Sequence, residues 1–206
     1  KFFLEDMNFE KYVDMATNMP LLFIFKNGKH LRSEGKTFKD FMDDKFSILN
    51  IEPSNIKDFE THLATIFTEV RLKKYIEIRS LDTCEWDCHC GGPAFYTGLI
   101  YGNLDEALEI INKWKVSEVL NAYIESPKKG LNTIINNKTL LEWGKIFLNL
   151  AKKGLETRAI KNNLGKDESI FLRNVGHILN SNKSKAAVTT ERFRMQKSLE
   201  FLYEKA

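Results

Sequence analysis

The chain has 206 residues, 43% of them hydrophobic and 12% aromatic, and a formal net charge of +3. This length and composition are typical of a globular protein with a sizeable core and exclude a disordered chain. The nearly balanced charge argues against a dedicated nucleic-acid or membrane-surface protein, and no apolar run reaches the roughly 20 residues that a membrane-spanning helix requires.

The cysteines and the first residue give two further expectations. Cys84, Cys88 and Cys90 lie within one seven-residue window. An odd number of cysteines so close together is not typical of a secreted disulfide framework, and we therefore expect a cytoplasmic location. The sequence starts at Lys1, within what reads as a folded segment, so we also expect a piece of a longer protein.

The first part of the chain combines short helices with a β-hairpin. Apolar residues recur at helical spacing in three places. Between the first two of these, Asn27-Gly28 separates two short segments, and this dipeptide is the strongest short-range signal for a hairpin. In chain order, the predicted elements are a helix over 9–16, hairpin arms over 21–26 and 29–32, and helices over 37–42 and 54–67.

The next segment, residues 70–80, alternates between apolar and charged side chains. Successive side chains of a β-strand point to opposite faces, and the alternation therefore predicts one central strand with an apolar face and an ionic face. The apolar face carries Val70, Leu72, Ile76 and Ile78, and the ionic face carries Arg71, Lys73, Tyr75, Glu77 and Arg79.

Beyond the cysteines the sequence predicts helices to its end. Pro127-Lys-Lys-Gly130 is expected to break one of them, Thr139 with Glu142 forms a capping box, and Gly154 suits a C-cap. The predicted helices are 93–101, 103–114, 116–123, 139–154, 167–179 and 190–203. The fold class is therefore α+β: a partial antiparallel sheet, and a mostly helical second half. We expect a single domain, or the C-terminal fragment of a larger catalytic domain, with a sheet-containing part over 1–102 and a helical part over 103–206.

The ionic face of the predicted strand has two interpretations. Charged strand faces are commonly solvated and carry cross-strand ion pairs. Alternatively, Glu77 and Arg79 project the same way and sit among buried apolar positions. A carboxylate there could hold a hard cation, and a guanidinium could hold a phosphate through two parallel hydrogen bonds. These are the groups that phosphoryl transfer requires.

The cysteine segment offers a second candidate site. Cys84, Cys88, His89 and Cys90 are all possible zinc ligands. Their spacing is too compressed for an ordinary tetrahedral site, and no second cysteine pair occurs. A loop with incidental thiols is the ordinary interpretation, and a non-catalytic metal-binding module is the alternative.

Several segments resemble one enzyme family, the glutamate–cysteine ligases, in particular its plant and proteobacterial branch. Residues 75–79 (YIEIR) are similar to the family motif Y-[IL]-E-[VM]-R. The flanking residues 61–73 and 90–101 align with that branch without a gap. Residues 9–14 (FEKYVD) and 151–155 (AKKGL) extend the similarity. It covers about residues 8–180 and corresponds to the C-terminal half of such an enzyme.

The resemblance implies a fold, an activity and roles for three residues. Family members join the γ-carboxylate of glutamate to the amine of cysteine through γ-glutamyl phosphate, using ATP and Mg²⁺, in a glutamine-synthetase-like ligase fold. Glu77 matches the glutamate that ligates the metal. Arg79 matches the arginine on the transferred phosphoryl group and on the nucleotide, and Arg71 resembles an arginine near the substrate. The implied partners are glutamate, cysteine and the N-terminal half of the same enzyme, with no nucleic acid and no membrane.

The chain also departs from the family pattern. Where plant-type relatives have G-G-P-W-R-R, residues 83–88 read TCEWDC, so Asp87 and Cys88 replace two arginines. Ala64 replaces a family threonine. The family's other metal-binding glutamates lie in the N-terminal half, and we therefore expect no ligase activity from these 206 residues alone. A related carboxylate–amine ligase with another amine acceptor is the enzyme alternative.

Overall fold

The computed structural model describes residues 7–46, 51–81 and 86–203, without the side chain of Asp87. The chain forms two compact units, residues 1–82 and 83–206. Both contain helices and short antiparallel hairpins, and the predicted α+β class is confirmed. The unit boundary lies upstream of the division at residue 102 that the sequence suggested; one catalytic domain stays a prediction. Within the described ranges, no helix is long and apolar enough to cross a membrane.

The first unit confirms the helices and the hairpin expected before residue 67. Its elements are α1 (Phe9–Thr17), β1 (Ile24–Lys26), β2 (Lys29–Leu31), α2 (Phe38–Met42), α3 (Ile56–Ala64), β3 (Val70–Leu72) and β4 (Ile76–Ile78). Asn27 and Gly28 both adopt positive φ, as the favoured two-residue hairpin turn requires. Thr37 and Asn55 begin α2 and α3 with complete capping boxes, which satisfy N–H groups that the helix itself cannot.

Phenylalanine rings and one ion pair form the centre of this unit. Phe38, Phe41 and Phe46 are buried together with residues of the first hairpin. Lys26 is also buried, and its ammonium lies 2.7 Å from a carboxylate oxygen of Asp58 on α3. Removing one partner of such a pair would leave an uncompensated buried charge, so the pair ties α3 to the hairpin.

The single strand predicted over 70–80 is wrong. The chain reverses at Lys73, whose N–H donates to the carbonyl of Tyr75 at 2.9 Å, and β3 pairs with β4 as an antiparallel hairpin. The hairpin joins residue 70 to 78, 71 to 77 and 72 to 76. Each pair has the same parity, so a straight strand and this hairpin give the same alternation of faces. Periodicity alone therefore could not reveal the turn.

His62 of α3 is a buried histidine that links two helices. Only 2% of its surface is exposed, its ring stacks on Phe38, and Nε2 lies 2.8 Å from the carbonyl oxygen of Ala16. Nε2 therefore carries the proton and donates to this carbonyl, while Nδ1 has no hydrogen-bond partner among the residues that the structure describes. Burial lowers the pKa of His62, and the bond to Ala16 opposes this shift only in part.

This environment predicts a pH-dependent stability. The folded pKa of His62 is lower than the unfolded value of about 6.5, so its stability contribution is complete above pH 6.5 and is lost as the pH falls towards the folded pKa. The slope of the unfolding free energy with pH is at most about 1.4 kcal/mol per unit. We expect His62→Gln, which keeps a donor for Ala16 but does not titrate, to flatten this dependence between pH 5 and 7 in denaturant titrations. The exposed His177 is the control: H177Q should keep the wild-type slope, and an unchanged slope in H62Q would contradict the assignment.

The second unit is mainly helical. Its elements are α4 (Gly91–Thr97), a π-helical turn (Gly98–Gly102), α5 (Leu104–Ile111), α6 (Val116–Lys129), β5 (Ile134–Ile135), β6 (Lys138–Thr139), α7 (Leu140–Arg158), α8 (Arg173–Ser181) and α9 (Lys185–Gln196). Short 3₁₀ turns occur at Trp86–Cys88, Gly130–Asn132, Glu168–Leu172 and Glu200–Leu202. The sequence did not predict the β5–β6 hairpin, which immediately precedes α7. The predicted capping box of Thr139 and Glu142 is confirmed.

Several helix ends differ from the prediction, and three of the differences have a visible structural basis. Helix α6 continues through Pro127 because the hydroxyl of Ser126 donates to the carbonyl of Tyr123 at 3.3 Å, which is the carbonyl that a proline cannot bond. Helix α9 covers 185–196 instead of 190–203, since Ser184 caps it. Gly154 is not a C-cap, because α7 ends only at Arg158, with Ala159 in the left-handed conformation after it.

Gly154 instead marks a helix crossing. It is buried on α7, and its backbone lies against Gly98 and Gly102 of the π-helical turn. Ala151, one turn earlier, is fully buried and lies against Gly98. Small residues on both elements allow the two backbones to approach closely. This contact, together with the edge-to-face pair of Trp114 and Trp143, organises the core of the unit.

Candidate active site

The β3–β4 hairpin brings the three predicted site residues together. Arg71 of β3 lies directly opposite Glu77 of β4, and Arg79 follows β4 on the same face. Both guanidinium groups bond the Glu77 carboxylate, Arg71 at Oε2 and Arg79 at Oε1. One carboxylate thus lies between two arginines on the first unit.

The ionic face of this hairpin is its buried face at the centre. Arg71 has 6% of its surface exposed, whereas Val70 and Ile76 on the apolar face are 45% and 69% exposed. In a strand with a solvated charged face, the apolar side chains are buried and the charged ones are exposed. At these three positions the burial is reversed. A buried charge requires partners. The groups that contact Arg71 therefore indicate its role.

Arg71 is held on two sides. Its Nε donates to Glu77 Oε2 at 2.8 Å, and the second terminal nitrogen lies 2.6 Å from the same oxygen. The other terminal nitrogen donates to the carbonyl of Ala64 at 2.5 Å and to that of Ile66 at 3.4 Å. These carbonyls lie at and just beyond the C-terminus of α3, where a cation is favoured by the helix dipole.

Glu77 is an ionised acceptor at neutral pH. Hydrogen bonds from Arg71 lower the pKa of Glu77 below its usual range, partial burial opposes this, and the positive charges of Arg71 and Arg79 add to the lowering. An ionised carboxylate only accepts hydrogen bonds and offers roughly four lone-pair positions. Three of these are occupied by arginine nitrogens, all three contacts being within 3.0 Å.

Arg79 is the more open of the two arginines. Its side chain is 29% exposed, and within the described part of the chain Glu77 is the one side chain that its guanidinium hydrogen-bonds. The guanidinium also lies over the ring of Phe67, 5.5 Å from the ring centre. Stacking on an aromatic face orients an arginine while leaving its N–H edge open. Sequence reasoning missed Phe67, although it lies within the segment that resembles the ligase family.

The residues present fit one part of a magnesium site. Mg²⁺ is bound by hard oxygen ligands, commonly one or two protein carboxylates together with substrate phosphates. Glu77 supplies such an oxygen, and movement of the exposed Arg79 would free more of Oε1. Among residues 7–46, 51–81 and 86–203, no group of three acidic, histidine or cysteine side chains is placed to hold a metal by itself. Any metal here therefore needs ligands from outside these ranges or from a substrate.

The cysteine segment belongs to the second unit and gives little support to a zinc module. Cys84 lies outside the described residues. Cys88 is disulfide-bonded, so its sulfur is not available as a thiolate ligand, while Cys90 is a free, exposed thiol. His89 lies beside Trp86, with ring centres 5.8 Å apart.

Comparison with known proteins gives consistent matches. The model of glutamate–cysteine ligase family 2 (GCS2) matches residues 1–205. The chain is 35% identical over 179 residues to the chloroplastic glutamate–cysteine ligase of Solanum lycopersicum, covering 86% of this chain and 33% of that protein. For the Brassica juncea enzyme the identity is 38% over 161 residues, covering 77% and 31%. These matches confirm the resemblance to the glutamate–cysteine ligases.

The relatives also bear on the expected cellular location and on the share of a whole ligase that the chain covers. The relatives from Solanum lycopersicum, Nicotiana tabacum and Arabidopsis thaliana are named chloroplastic. The cytoplasmic location expected from the cysteines is therefore wrong. Cysteine spacing gives information about disulfide chemistry and none about the organelle. The chain spans about a third of the length of these relatives.

Proposed function

Because the chain belongs to glutamate–cysteine ligase family 2, we propose that it is part of an enzyme that joins glutamate to cysteine. The reaction is an ATP-dependent ligation of the γ-carboxylate of glutamate to the amine of cysteine, the first step of glutathione synthesis. ATP and Mg²⁺ are the proposed cofactors. The observation that carries the proposal is the carboxylate of Glu77 held between Arg71 and Arg79 on one hairpin.

The proposed chemistry has two steps. An oxygen of the glutamate γ-carboxylate attacks the γ-phosphorus of ATP, the bond to ADP breaks, and γ-glutamyl phosphate forms. The amine of cysteine then attacks the γ-acyl carbon, phosphate leaves, and the nitrogen loses a proton to give the amide. Bound Mg²⁺ would neutralise charge on the phosphate oxygens.

Glu77 and Arg79 have different proposed roles at the transferred phosphoryl group. Glu77, ionised at neutral pH, is the proposed metal ligand. Arg79, the exposed arginine, is the proposed partner of the transferred phosphoryl group, to which a guanidinium can donate two parallel N–H groups. Stabilising charge that develops on the phosphoryl oxygens is the larger part of catalysis in such reactions. Arg71 was predicted to contact the substrate, and its role is considered below.

The remaining part of the enzyme is the proposed partner. Val70 and Ile76 on the apolar face of the hairpin are exposed, and only the two strands β3 and β4 form this sheet within the described residues. An open strand edge and an open apolar face are normally covered. We propose that the N-terminal part of the same enzyme completes the sheet into a glutamine-synthetase-like ligase fold and supplies the further metal ligands.

Glu77→Gln in the full-length enzyme tests the proposal. Glutamine keeps the shape but removes the charge that holds the metal, and metal-site substitutions of this kind commonly cost 10–100-fold. We expect ATP-dependent formation of γ-glutamylcysteine to fall by about 100-fold, with a higher Mg²⁺ requirement. Glu60→Gln, on the exposed surface of α3, should leave the rate unchanged, and the 206-residue chain alone should be inactive.

Two outcomes would contradict this assignment. A wild-type enzyme that hydrolyses ATP with glutamate and another amine, but not with cysteine, would identify a related carboxylate–amine ligase. A Glu77→Gln enzyme with wild-type rate and Mg²⁺ dependence would remove Glu77 from the metal site.

A further inference from the structure

We propose that Arg71 is a positioning residue that fixes the Glu77 carboxylate, and that it does not contact the substrate. This inference rests on the proposed function of Glu77 as a metal ligand. It changes the role that the family resemblance suggested for Arg71, and it is carried by the contacts of the guanidinium on both of its sides.

The first observation is that the hairpin fixes the pair by register. Arg71 and Glu77 face each other across β3 and β4, and the bonded pair is flanked by the backbone hydrogen bonds of Lys73 to Tyr75 and of Arg79 to Glu69. The side chains meet through two nitrogens on the single oxygen Oε2, at 2.8 and 2.6 Å. Neither residue can change its position along the strand without breaking the ladder.

The second observation is that the far side of the guanidinium is anchored to the backbone. Carbonyls of Ala64 and Ile66 accept from one terminal nitrogen, so the planar group spans from the end of α3 to β4. A substrate contact would require breaking some of these four contacts in a side chain that is only 8% exposed. Leaving buried polar groups without partners costs free energy. Arg71 is therefore better suited to hold the Glu77 carboxylate than to bind a substrate.

The third observation is the division of the carboxylate between the two arginines. Arg71 occupies Oε2 and Arg79 occupies Oε1, and the side chain of Arg79 is more than three times as exposed. When Arg79 moves to a phosphoryl group, Arg71 keeps Oε2 in place and leaves Oε1 directed at the metal. Groups that orient a metal ligand in this way typically change metal affinity or activity by 10–100-fold when mutated.

Lysine cannot replace Arg71 in this arrangement. An ammonium is a compact point charge, whereas the planar guanidinium donates in opposite directions at once. Arg71→Lys therefore keeps the charge beside Glu77 but loses the hydrogen bonds either to the carboxylate or to the backbone carbonyls of Ala64 and Ile66. The variant separates positioning from simple charge neutralisation.

The test uses the full-length enzyme with Arg71→Lys, and Lys73→Met on the exposed turn of the same hairpin as control. Binding of Mn²⁺ alone, followed by electron paramagnetic resonance, should weaken about tenfold in Arg71→Lys and stay unchanged in Lys73→Met. In steady-state assays kcat should fall while the KM for glutamate stays within about twofold of the wild type. A tenfold rise in this KM with unchanged Mn²⁺ binding would overturn the proposal and return Arg71 to the substrate.

A stability measurement keeps the proposal testable if activity is lost. Arg71→Met leaves Oε2 of Glu77 charged without a partner and Arg79 as the remaining arginine on the carboxylate. Glu77→Gln in the same chain removes that charge, so the double variant should unfold at a higher temperature than Arg71→Met. A double variant whose losses are simply additive would show no coupling and would overturn the proposal. If the wild type makes no γ-glutamyl product, the proposed function fails, while Mn²⁺ binding and this cycle still decide the role of Arg71.

Discussion

Replacing Gly154 by alanine is expected to disrupt the second unit of the protein. A Cβ atom on Gly154 would overlap the carbonyl oxygen of Gly98 and crowd the backbone of Gly102. Alanine is intrinsically better than glycine in a helix by about 1 kcal/mol, but backbone atoms cannot rotate away as a side chain can. Overpacking of a core typically costs about 1–3 kcal/mol, and occasionally more, when side chains and backbone must shift. The net loss should lower the Tm of the full-length protein by several degrees, measured by circular dichroism.

A second glycine provides the matched control. Gly176 lies within α8, and a Cβ atom there would meet Leu148 at 3.7 Å, an ordinary van der Waals distance. Gly176→Ala should therefore be neutral or stabilising by up to about 1 kcal/mol. If Gly154→Ala were as stable as Gly176→Ala, the close crossing of α7 and the π-helical turn would not exist in solution.

Gly154 also shows why local sequence reasoning misplaced a helix end. A glycine near the end of an apolar periodic segment normally indicates a C-cap. The residues that give Gly154 another purpose, Gly98 and Gly102, lie on a different element far away in the sequence. Packing between distant elements is not visible in a local pattern. The segment that resembles the family's A-x-x-G-L motif does indicate the crossing, because its small residues, Ala151 and Gly154, are those that contact the π-helical turn.

The candidate site shows a different limit. Alternation correctly predicted that Arg71, Glu77 and Arg79 share a face, because the antiparallel register preserves parity. It could not predict that residues 70 and 78 are cross-strand neighbours. The turn at Lys73 to Tyr75 contains no glycine, proline or asparagine, so the usual turn signals are absent. Only the three-dimensional pairing shows that Arg71 contacts Glu77 more closely than Arg79 does.

The first unit also shows how burial is distributed over the two faces of the hairpin. Apolar residues are expected inside, so the face with Val70 and Ile76 was expected to be covered. In the structure Val70 and Ile76 on that face are exposed and Leu72 and Ile78 are half-buried, whereas Arg71 on the other face is enclosed by the end of α3. This inversion is physically costly unless another part of the protein covers the apolar face. It is therefore the structural feature that most directly supports an incomplete sheet.

Loss of Arg79 should have the largest effect on catalysis. If its guanidinium leaves Glu77 to bond the transferred phosphoryl group, Arg79→Met removes charge stabilisation that is needed only in the transition state. Removing one such preorganised donor costs about 10²–10³-fold in kcat. We expect that loss in the full-length enzyme, with little change in the KM for glutamate. Arg79→Lys should recover only part of the rate, because an ammonium cannot form two parallel hydrogen bonds.

Controls separate this role from the structural one of Arg71. Arg32→Met, on an exposed position of the same unit, should keep the wild-type rate, and Phe67→Ala should have a smaller effect than Arg79→Met because it removes only the stacking surface. Mn²⁺ binding should be retained or strengthened in Arg79→Met, in contrast to Arg71→Lys, since Arg79 competes with the metal for Oε1 and does not hold the carboxylate in place. A kcat within threefold of the wild type in Arg79→Met would exclude Arg79 from phosphoryl transfer. The two arginines of one hairpin thus make opposite predictions for metal binding, and a single pair of variants distinguishes them.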